Sequence, residues 1–396
     1  MTEQIANFLL TQTGRALLAE ADTLLAARVE TLTALTRLRK TATPEQANAA
    51  WEMAELRRRG QAKFGPIAQK MFVVREALEQ ASGMGTAVYH AQRFADAGIA
   101  SVTDLGGGIG GDALAFARAG LRVTLVERDP IRALFASENA LVHGLSAQLT
   151  VVQTDVTTAD LAAFEAVWLD PARRRDSRRV SNPDEYSPPL SWLHTLKAQS
   201  IGVKLSPAID HALASQYGAE LEFLSAGGEC REALLWLGKL QMGDALRATV
   251  LTPAGPQTLT GKADEPGRRL PIATGAYLYE PDPAVIRAHL VGTLAAQLEA
   301  TPVDPQIAYL LGDQLQTTPF ATAYEVIERF PYGKKRLQDA LTAHDTGRVI
   351  IKKRGFPQEP EEVRRSLKLR GTQEIIVVLA RIGASHEVFL CHPTSA

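Results

Sequence analysis

Cysteine is nearly missing from this chain: Cys230 and Cys391 are the two in 396 residues, far apart and outside any CxxC or Cys/His cluster. A disulfide framework and a structural zinc site are therefore disfavoured, and no metal is expected. Net charge is equally scarce at −1, so the chain as a whole carries no strong acidic or basic field. No apolar run reaches bilayer-spanning length, and the first residues lack a basic segment followed by an apolar stretch and a small-residue cleavage site. A soluble cytoplasmic protein with no membrane partner is the expectation. Low-complexity tracts and short-period repeats are absent too. What is present is 45% hydrophobic side chains, enough in a chain of this length to bury the cores of two or three domains.

Three regions differ in texture. In residues 1–95 apolar side chains recur at three and four positions, as in Ile5, Phe8 and Leu9 and again in Leu24, Val29, Leu32, Leu35 and Leu38. This reads as a helical N-terminal region packing on the domain next to it in the chain, and Thr43-Pro44-Glu45 predicts an N-cap with proline in the first turn. The Arg57-Arg58-Arg59 run with Lys63 reads either as a solvated face or as a contact for a polyanion. Residues 96–240 alternate apolar strands with helical segments. Strands are expected at Ser101–Leu105, Arg122–Glu127, Leu149–Thr154, Ala166–Asp170, Ser200–Leu205, Glu220–Ser225 and Ala233–Leu237. The pattern predicts an α/β fold with a doubly wound, mainly parallel sheet, its last two strands an antiparallel pair at one edge.

Residues 241–396 read as an α+β domain of ferredoxin-like size. The expected order is a strand at Ala248–Leu251, a loop from Pro253 to Arg269, a helix near Pro283–Glu299 and a short helical stretch at Tyr309–Gln314. Strands near Ala323–Glu328, Arg348–Lys353 and Glu374–Ala380 then interleave with helices at Lys334–Leu341 and Glu359–Leu369.

Chemistry concentrates in two motifs. Asp104-Leu105-Gly106-Gly107-Gly108-Ile109-Gly110-Gly111-Asp112 comes after an apolar, β-branched run and precedes an alanine-rich one, the signature of strand, tight turn and helix. Glycines allow backbone angles closed to other residues and let a ligand approach the helix N–H groups. Asp170-Pro171-Ala172-Arg173 closes the apolar run Ala166 to Leu169, where a fourth parallel strand would end. Open α/β sheets bind ligands outside the carboxyl ends of their strands, so both motifs should face one cleft.

The glycine run alone is ambiguous, because Gly106, Gly108 and Gly111 also satisfy the GxGxxG spacing of dinucleotide-binding oxidoreductases. Asp104 shifts the balance: a carboxylate there can hold a cationic amine, whereas beside a pyrophosphate it is unfavourable. With Asp104, Gly106, Gly108 and Gly110 in a D-x-G-x-G-x-G pattern, the sequence resembles the class I S-adenosylmethionine-dependent methyltransferases. The resemblance implies a Rossmann-like methyltransferase sheet whose turn holds the methionine part of S-adenosyl-L-methionine. It also implies an acid for the ribose hydroxyls, which Glu127 supplies about 20 residues past the glycines, and one near the adenine amine, which is Asp155.

By the same resemblance Asp170, Pro171 and Arg173 stand where enzymes that methylate base amino groups carry (D/N)-P-P-(Y/F/W), with Ala172 and Arg173 departing from the pattern. A carboxylate and a backbone carbonyl can accept the two N–H bonds of an exocyclic amine and turn its lone pair towards the methyl group. Arg173 could stack on a base, and Arg174, Arg175, Arg178 and Arg179 could hold phosphates. A similar D-P-P-R occurs in 5-methyluridine methyltransferases, which need a cysteine after the next strand, but Val203-Lys204-Leu205-Ser206-Pro207 offers none. Lys204 itself could face substrate, while Cys230, Tyr186 and Trp192 read as packing residues.

The cation-rich segment Gly347 to Arg370, with Gly275 to Pro283, resembles the THUMP-like domain that accompanies a bacterial family of these methyltransferases. That implies an RNA partner, tRNA or rRNA, and modification of a base amino nitrogen. A small-molecule methyltransferase, a non-catalytic RNA-binding protein and an NAD-dependent oxidoreductase are the alternatives. Oligomeric state is not legible.

Overall fold

The structure is a computed structural model that describes residues 1–158, 164–172, 174–175, 178–179, 182–243, 246–264 and 275–394, with backbone alone at 174–175 and 178–179. The chain divides into two compact units, Met1–Glu220 with Leu234–Gly243, and Leu221–Ala233 with Asp244–Ala396.

The first unit opens with helices α1 (Glu3–Leu10), α2 (Gln12–Ala26), α3 (Thr31–Leu38), α4 (Pro44–Phe64), α5 (Arg75–Gln80) and α6 (Met84–Asp96). Thr43 caps α4 through a reciprocal pair with Gln46, and Pro44 occupies the first turn, as the sequence predicts. Arg57 fits neither sequence reading of its run. It is buried in α4, ion-paired to Asp22 at 2.9 Å, and donates to the Met71 carbonyl at 2.8 Å. Lys63 bonds the carbonyls of Leu78 and Glu79 and so satisfies the last turn of α5.

Next come β1 (Ser101–Leu105), α7 (Gly111–Arg118), β2 (Arg122–Glu127), α8 (Pro130–Val142), β3 (Leu149–Gln153), β4 (Ala166–Leu169), a two-stranded hairpin of β5 (Arg174–Arg175) and β6 (Arg178–Arg179), β7 (Ser200–Leu205) and α9 (Ala212–Tyr217). The main sheet runs β3-β2-β1-β4-β7, every one of these pairs parallel. The order reverses at β1, which has β2 on one side and β4 on the other. At that switch point the loops after β1 and β4 diverge and leave a crevice.

A buried aromatic cluster supports the middle of this sheet: Trp168 of β4 lies 6.0 Å from Phe116 and 6.2 Å from Phe94 between ring centroids, and 4.3 Å from the His90 ring. Gly202 of β7 is the counterpart of that bulk, since a Cβ there would come within 2.9 Å of the Trp168 ring. Asn139 of α8 ties the helical region to the glycine turn. Its side chain accepts from Phe72 N at 2.7 Å and donates to the carbonyls of Phe72 at 3.0 Å and Ile109 at 2.9 Å.

The second unit holds most of β8 (Glu220–Ala226) and the start of β9 (Glu229–Gly238), then β10 (Leu246–Thr252) and β11 (Gly255–Gly261). β8 is not at an edge as expected, because β10 pairs with it in parallel, and β11 lies within the segment expected to be loop. The rest is β12 (Tyr277–Pro281), α10 (Pro283–Arg287), α11 (Val291–Gln297), β13 (Thr301–Asp304), β14 (Ile307–Gly312), β15 (Ala321–Pro331), α12 (Lys334–Ala343), β16 (Thr346–Arg354), α13 (Pro360–Arg365), β17 (Gln373–Ile382) and β18 (Ser385–Pro393). Seven of these strands form one sheet, β13-β14-β12-β15-β18-β17-β16. β17, between β18 and the edge strand β16, is buried on both faces: Ile376, Val378 and Ala380 enter one core, and Ile375, Val377 and Leu379 enter the core beneath α12 and α13.

Two further expectations fail here for identifiable reasons. Tyr309–Gln314 is not helical; Ile307, Tyr309 and Leu311 alternate into one core as strand β14, a short apolar run that periodicity alone could not assign. The helix expected over Pro283–Glu299 is two, broken where His289 takes a left-handed φ of 55°.

Replacing Asn139 with Ala leaves two buried carbonyls and one N–H without their partner. We expect a loss of about 2–4 kcal/mol in urea unfolding, at 1–3 kcal/mol for each unsatisfied group that finds no substitute.

Candidate active site

The turn after β1 works as its composition demands. Gly106, Gly108 and Gly110 adopt φ of 79°, 57° and 87°, left-handed values that strain other residues. Gly107 matters for space instead: a Cβ there would lie 2.6 Å from Asp104 Oδ2 and from Leu125 Cγ. Glu127, at the end of β2, accepts from Gly108 N at 3.0 Å and from Asp129 N at 2.9 Å, so it locks the turn to the neighbouring strand. Arg128 makes its ion pair with Asp155 at 3.7 Å rather than with Glu127.

A cleft of about 860 Å³ lies over these ends, lined among others by Asp104, Gly106, Gly108, Glu127, Asp155, Asp170 and Pro171. Of the residues singled out from sequence, Gly110 stands apart as the N-cap of α7, outside the lining, and Arg173 lies outside the described residues. Residues 187–189 and the α5 segment with Glu79, Gln80 and Ala81 complete the wall.

Beneath the cleft runs a polar network that sequence reasoning left mostly unassigned. Lys204, buried at the end of β7, donates to Asp170 Oδ2 at 2.6 Å and to Ser82 Oγ at 3.0 Å. Asp112, in the first turn of α7, takes a hydrogen bond from Ser82 and pairs with His90 Nδ1 at 2.9 Å. Burial alone would raise the Asp112 carboxyl, but His90, Lys204 and Ser82 together hold it below its usual range. Asp112 carried a faint signal, an acid at a helix N-terminus. Ser82 and His90 carried none, because tertiary packing alone brings α6 and the residues before it to the sheet.

Asp104 is the opposite case. Burial first, then the charges of Asp112, Asp170 and Glu127, push its carboxyl well above the normal value, with Lys204 offsetting part of the effect. Its Oδ2 is buried without a hydrogen-bond partner. Such an orphaned acceptor facing a cleft is a strong acceptor for an ammonium group. Asp155 is different again: the Thr157 hydroxyl and backbone N–H hold it below the usual carboxylate range.

A parallel 3-2-1-4-order sheet with a glycine turn at its switch point, an acid ending the next strand and an acid-proline ending the fourth defines a Rossmann-like methyltransferase. The comparisons with known proteins agree. Residues 33–171 match a family model described as a putative SAM-dependent methyltransferase, residues 321–393 a THUMP domain-like model, and residues 4–60 a domain of unknown function. An uncharacterized S-adenosylmethionine-dependent methyltransferase of Mycobacterium tuberculosis, in strains H37Rv and CDC 1551, is 33% identical over 360 residues, spanning 87% of this chain and 98% of that protein. The crystal structure of a putative methyltransferase from Porphyromonas gingivalis W83 shares the fold at a TM-score of 0.77 and 21% identity, covering 96% of this chain and 99% of that one. The chain belongs to the S-adenosylmethionine-dependent methyltransferases and carries a THUMP-like region at its C-terminus.

The residues fit that cofactor. The orphaned Asp104 oxygen suits the ammonium of its amino-acid part, the glycine turn leaves the main chain open, and Glu127 retains lone pairs for ribose hydroxyls. Burial and its acidic neighbours push the Asp104 carboxyl upward, and it must be ionised to hold an ammonium. Affinity for S-adenosylmethionine therefore weakens as pH falls, and calorimetry in buffers of different ionisation enthalpy should show proton release on binding. Asp104→Asn should weaken binding by about 1.5–3 kcal/mol, the contribution of one charge-assisted hydrogen bond. The same change should raise the melting temperature at alkaline pH. A buried carboxyl with a raised folded pKa loses stability as pH rises through that value, and an amide does not ionise.

Proposed function

We propose that this methyltransferase acts on an exocyclic amino nitrogen of a base in RNA, with tRNA and rRNA as the substrate class. The observation that carries the reading is Asp170-Pro171 on the same cleft as Asp104, Gly106, Gly108 and Glu127, with the Asp170 carboxylate anchored through Oδ2. In this reading Asp104, Gly106, Gly108, Glu127 and Asp155 bind the cofactor, Gly110 shapes the turn, and Asp170, Pro171 and Arg173 serve the acceptor.

The bound cofactor supplies an electrophilic methyl on a sulfonium. Asp170 accepts one N–H of the acceptor amine, Pro171 fixes the backbone that presents it, and the amine lone pair is turned out of conjugation with its ring. Once nitrogen is methylated it must lose a proton, for which the Asp170 carboxylate is in reach. The lining is rich in acids, so a neutral base enters while phosphates stay outside; the target nucleotide is single-stranded or flipped out of its stack.

In the second unit Lys334, Lys335, Arg336, Arg365, Lys368 and Arg370 are exposed, while Lys352, Lys353 and Arg348 are spent on Glu280 and Glu359 at 2.6 Å each and on Glu374 at 3.0 Å. Exposed cations on a folded module support phosphate contact.

Purified protein should transfer a labelled methyl group to RNA from cells lacking it, and nucleoside mass spectrometry should find the label on a base amino nitrogen. Asp170→Ala, which removes the side-chain acceptor, should cut turnover by at least about a hundredfold, within the range for a positioned acid–base group, with cofactor affinity nearly unchanged. A label on C5 of uridine, or on small molecules alone, overturns the reading. RNA affinity should fall steeply with salt, and Lys334→Glu with Lys335→Glu should weaken binding and flatten the salt slope.

A further inference from the structure

We propose that Lys204 is a positioning residue for methyl transfer: its ammonium holds Asp170 as an oriented carboxylate in a cleft otherwise crowded with acids. The inference rests on the amine-acceptor role of Asp170 and extends it to a residue that never meets the cofactor or the base in this scheme.

The geometry is specific. Lys204 sits on β7, whose register pairs Val203 with Leu169 of β4, so the two chains run side by side up to the residues beyond that pair. Its Nζ reaches Asp170 Oδ2 at 2.6 Å and Ser82 Oγ at 3.0 Å, and the side chain is only 6% exposed against 26% for Asp170. A buried ammonium is costly unless paired, so the contact fixes both partners.

The need for such a cation comes from the neighbours on each element packed around the site. Asp104 comes from β1, Asp112 from α7, Glu127 from β2, Glu79 from α5 and Asp155 from the residues after β3, the last paired to Arg128 at 3.7 Å. Against them stand Lys204 from β7, His90 from α6, paired to Asp112, and Arg132 from α8, paired to Glu76 at 3.2 Å. The repulsion is visible at Asp104, which Asp112, Asp170 and Glu127 all push towards the protonated form while Lys204 opposes them. Without Lys204 the same like-charge repulsion falls on Asp170, and a protonated Asp170 can neither accept the amine N–H in the right sense nor take up a proton afterwards. Ser82 adds direction: its hydroxyl links the ammonium to Asp112, so residues just before α6 set where the Lys204 head group stands.

The test compares the full-length wild type with Lys204→Met, Lys204→Arg, Asp170→Asn and Asp170→Ala. Methyl transfer to RNA from cells lacking the protein is followed between pH 5.5 and 9, alongside calorimetric affinity for S-adenosylhomocysteine and the 13C carboxyl signal of Asp170, assigned through Asp170→Asn. Lys204→Met should move the acid limb of kcat to higher pH, with turnover at the acidic end at least about tenfold below wild type and recovering partly as pH rises. The Asp170 carboxyl should titrate at higher pH in the same variant, a readout independent of turnover. Lys204→Arg should return the limb towards its original position, because it restores the charge. A Lys204→Met enzyme that folds and binds S-adenosylhomocysteine but keeps the wild-type acid limb and carboxyl titration overturns the proposal. If Asp170→Ala, which removes the side-chain acceptor, retains full turnover, the amine-acceptor reading fails instead, and the carboxyl titration still reports on Lys204 by itself.

Discussion

Four carboxylates meeting at the carboxyl ends of three adjacent parallel strands are the constraint around which the first unit is arranged. Asp104, Asp112, Glu127 and Asp170 would repel one another strongly in a low-dielectric crevice, and each is accommodated differently. Glu127 takes two backbone N–H groups, Asp112 takes His90 and Ser82, Asp170 takes Lys204, and the Asp104 carboxyl is pushed well above its normal value by burial and its acidic neighbours. The one left without a hydrogen-bond partner, through its Oδ2, is Asp104 on the cleft wall. Strain of this kind, held by surrounding packing, is how a site is kept ready for a ligand that relieves it.

That arrangement explains the N-terminal helices better than simple packing does. Lys63 caps α5, whose last residues line the cleft, and Asn139 joins Phe72 to Ile109 of the glycine turn. Ser82 and His90 then deliver polar groups beneath the sheet. A segment whose apolar stripe reads as scaffold thus supplies part of the chemical environment of the cofactor turn and of Asp170.

The second unit obeys a different logic. Its seven-stranded, mostly antiparallel sheet feeds one core built from its own strands and a second beneath α12 and α13. Several cations there are tied to glutamates within the unit, whereas Lys334 to Arg336, Arg365, Lys368 and Arg370 are exposed.

Local chemistry made the alternating parallel sheet, the glycine turn and the acids closing the first, second and fourth strands legible before any coordinates. A backbone that must be left-handed, or a strand that must end in a carboxylate, is encoded by neighbours in the chain. Short apolar runs such as Ile307 to Gly312 carried no such local mark, and the break at His289 came from a backbone angle that composition does not announce. Only the tertiary structure decided which charges meet. Ser82, His90 and Asp112 lie far in sequence from Asp170 and Lys204, and their polar contacts exist because parallel strand order folds distant segments onto one switch point. Periodicity specifies which face of an element is buried; it says nothing about which buried polar groups will find each other once the faces close.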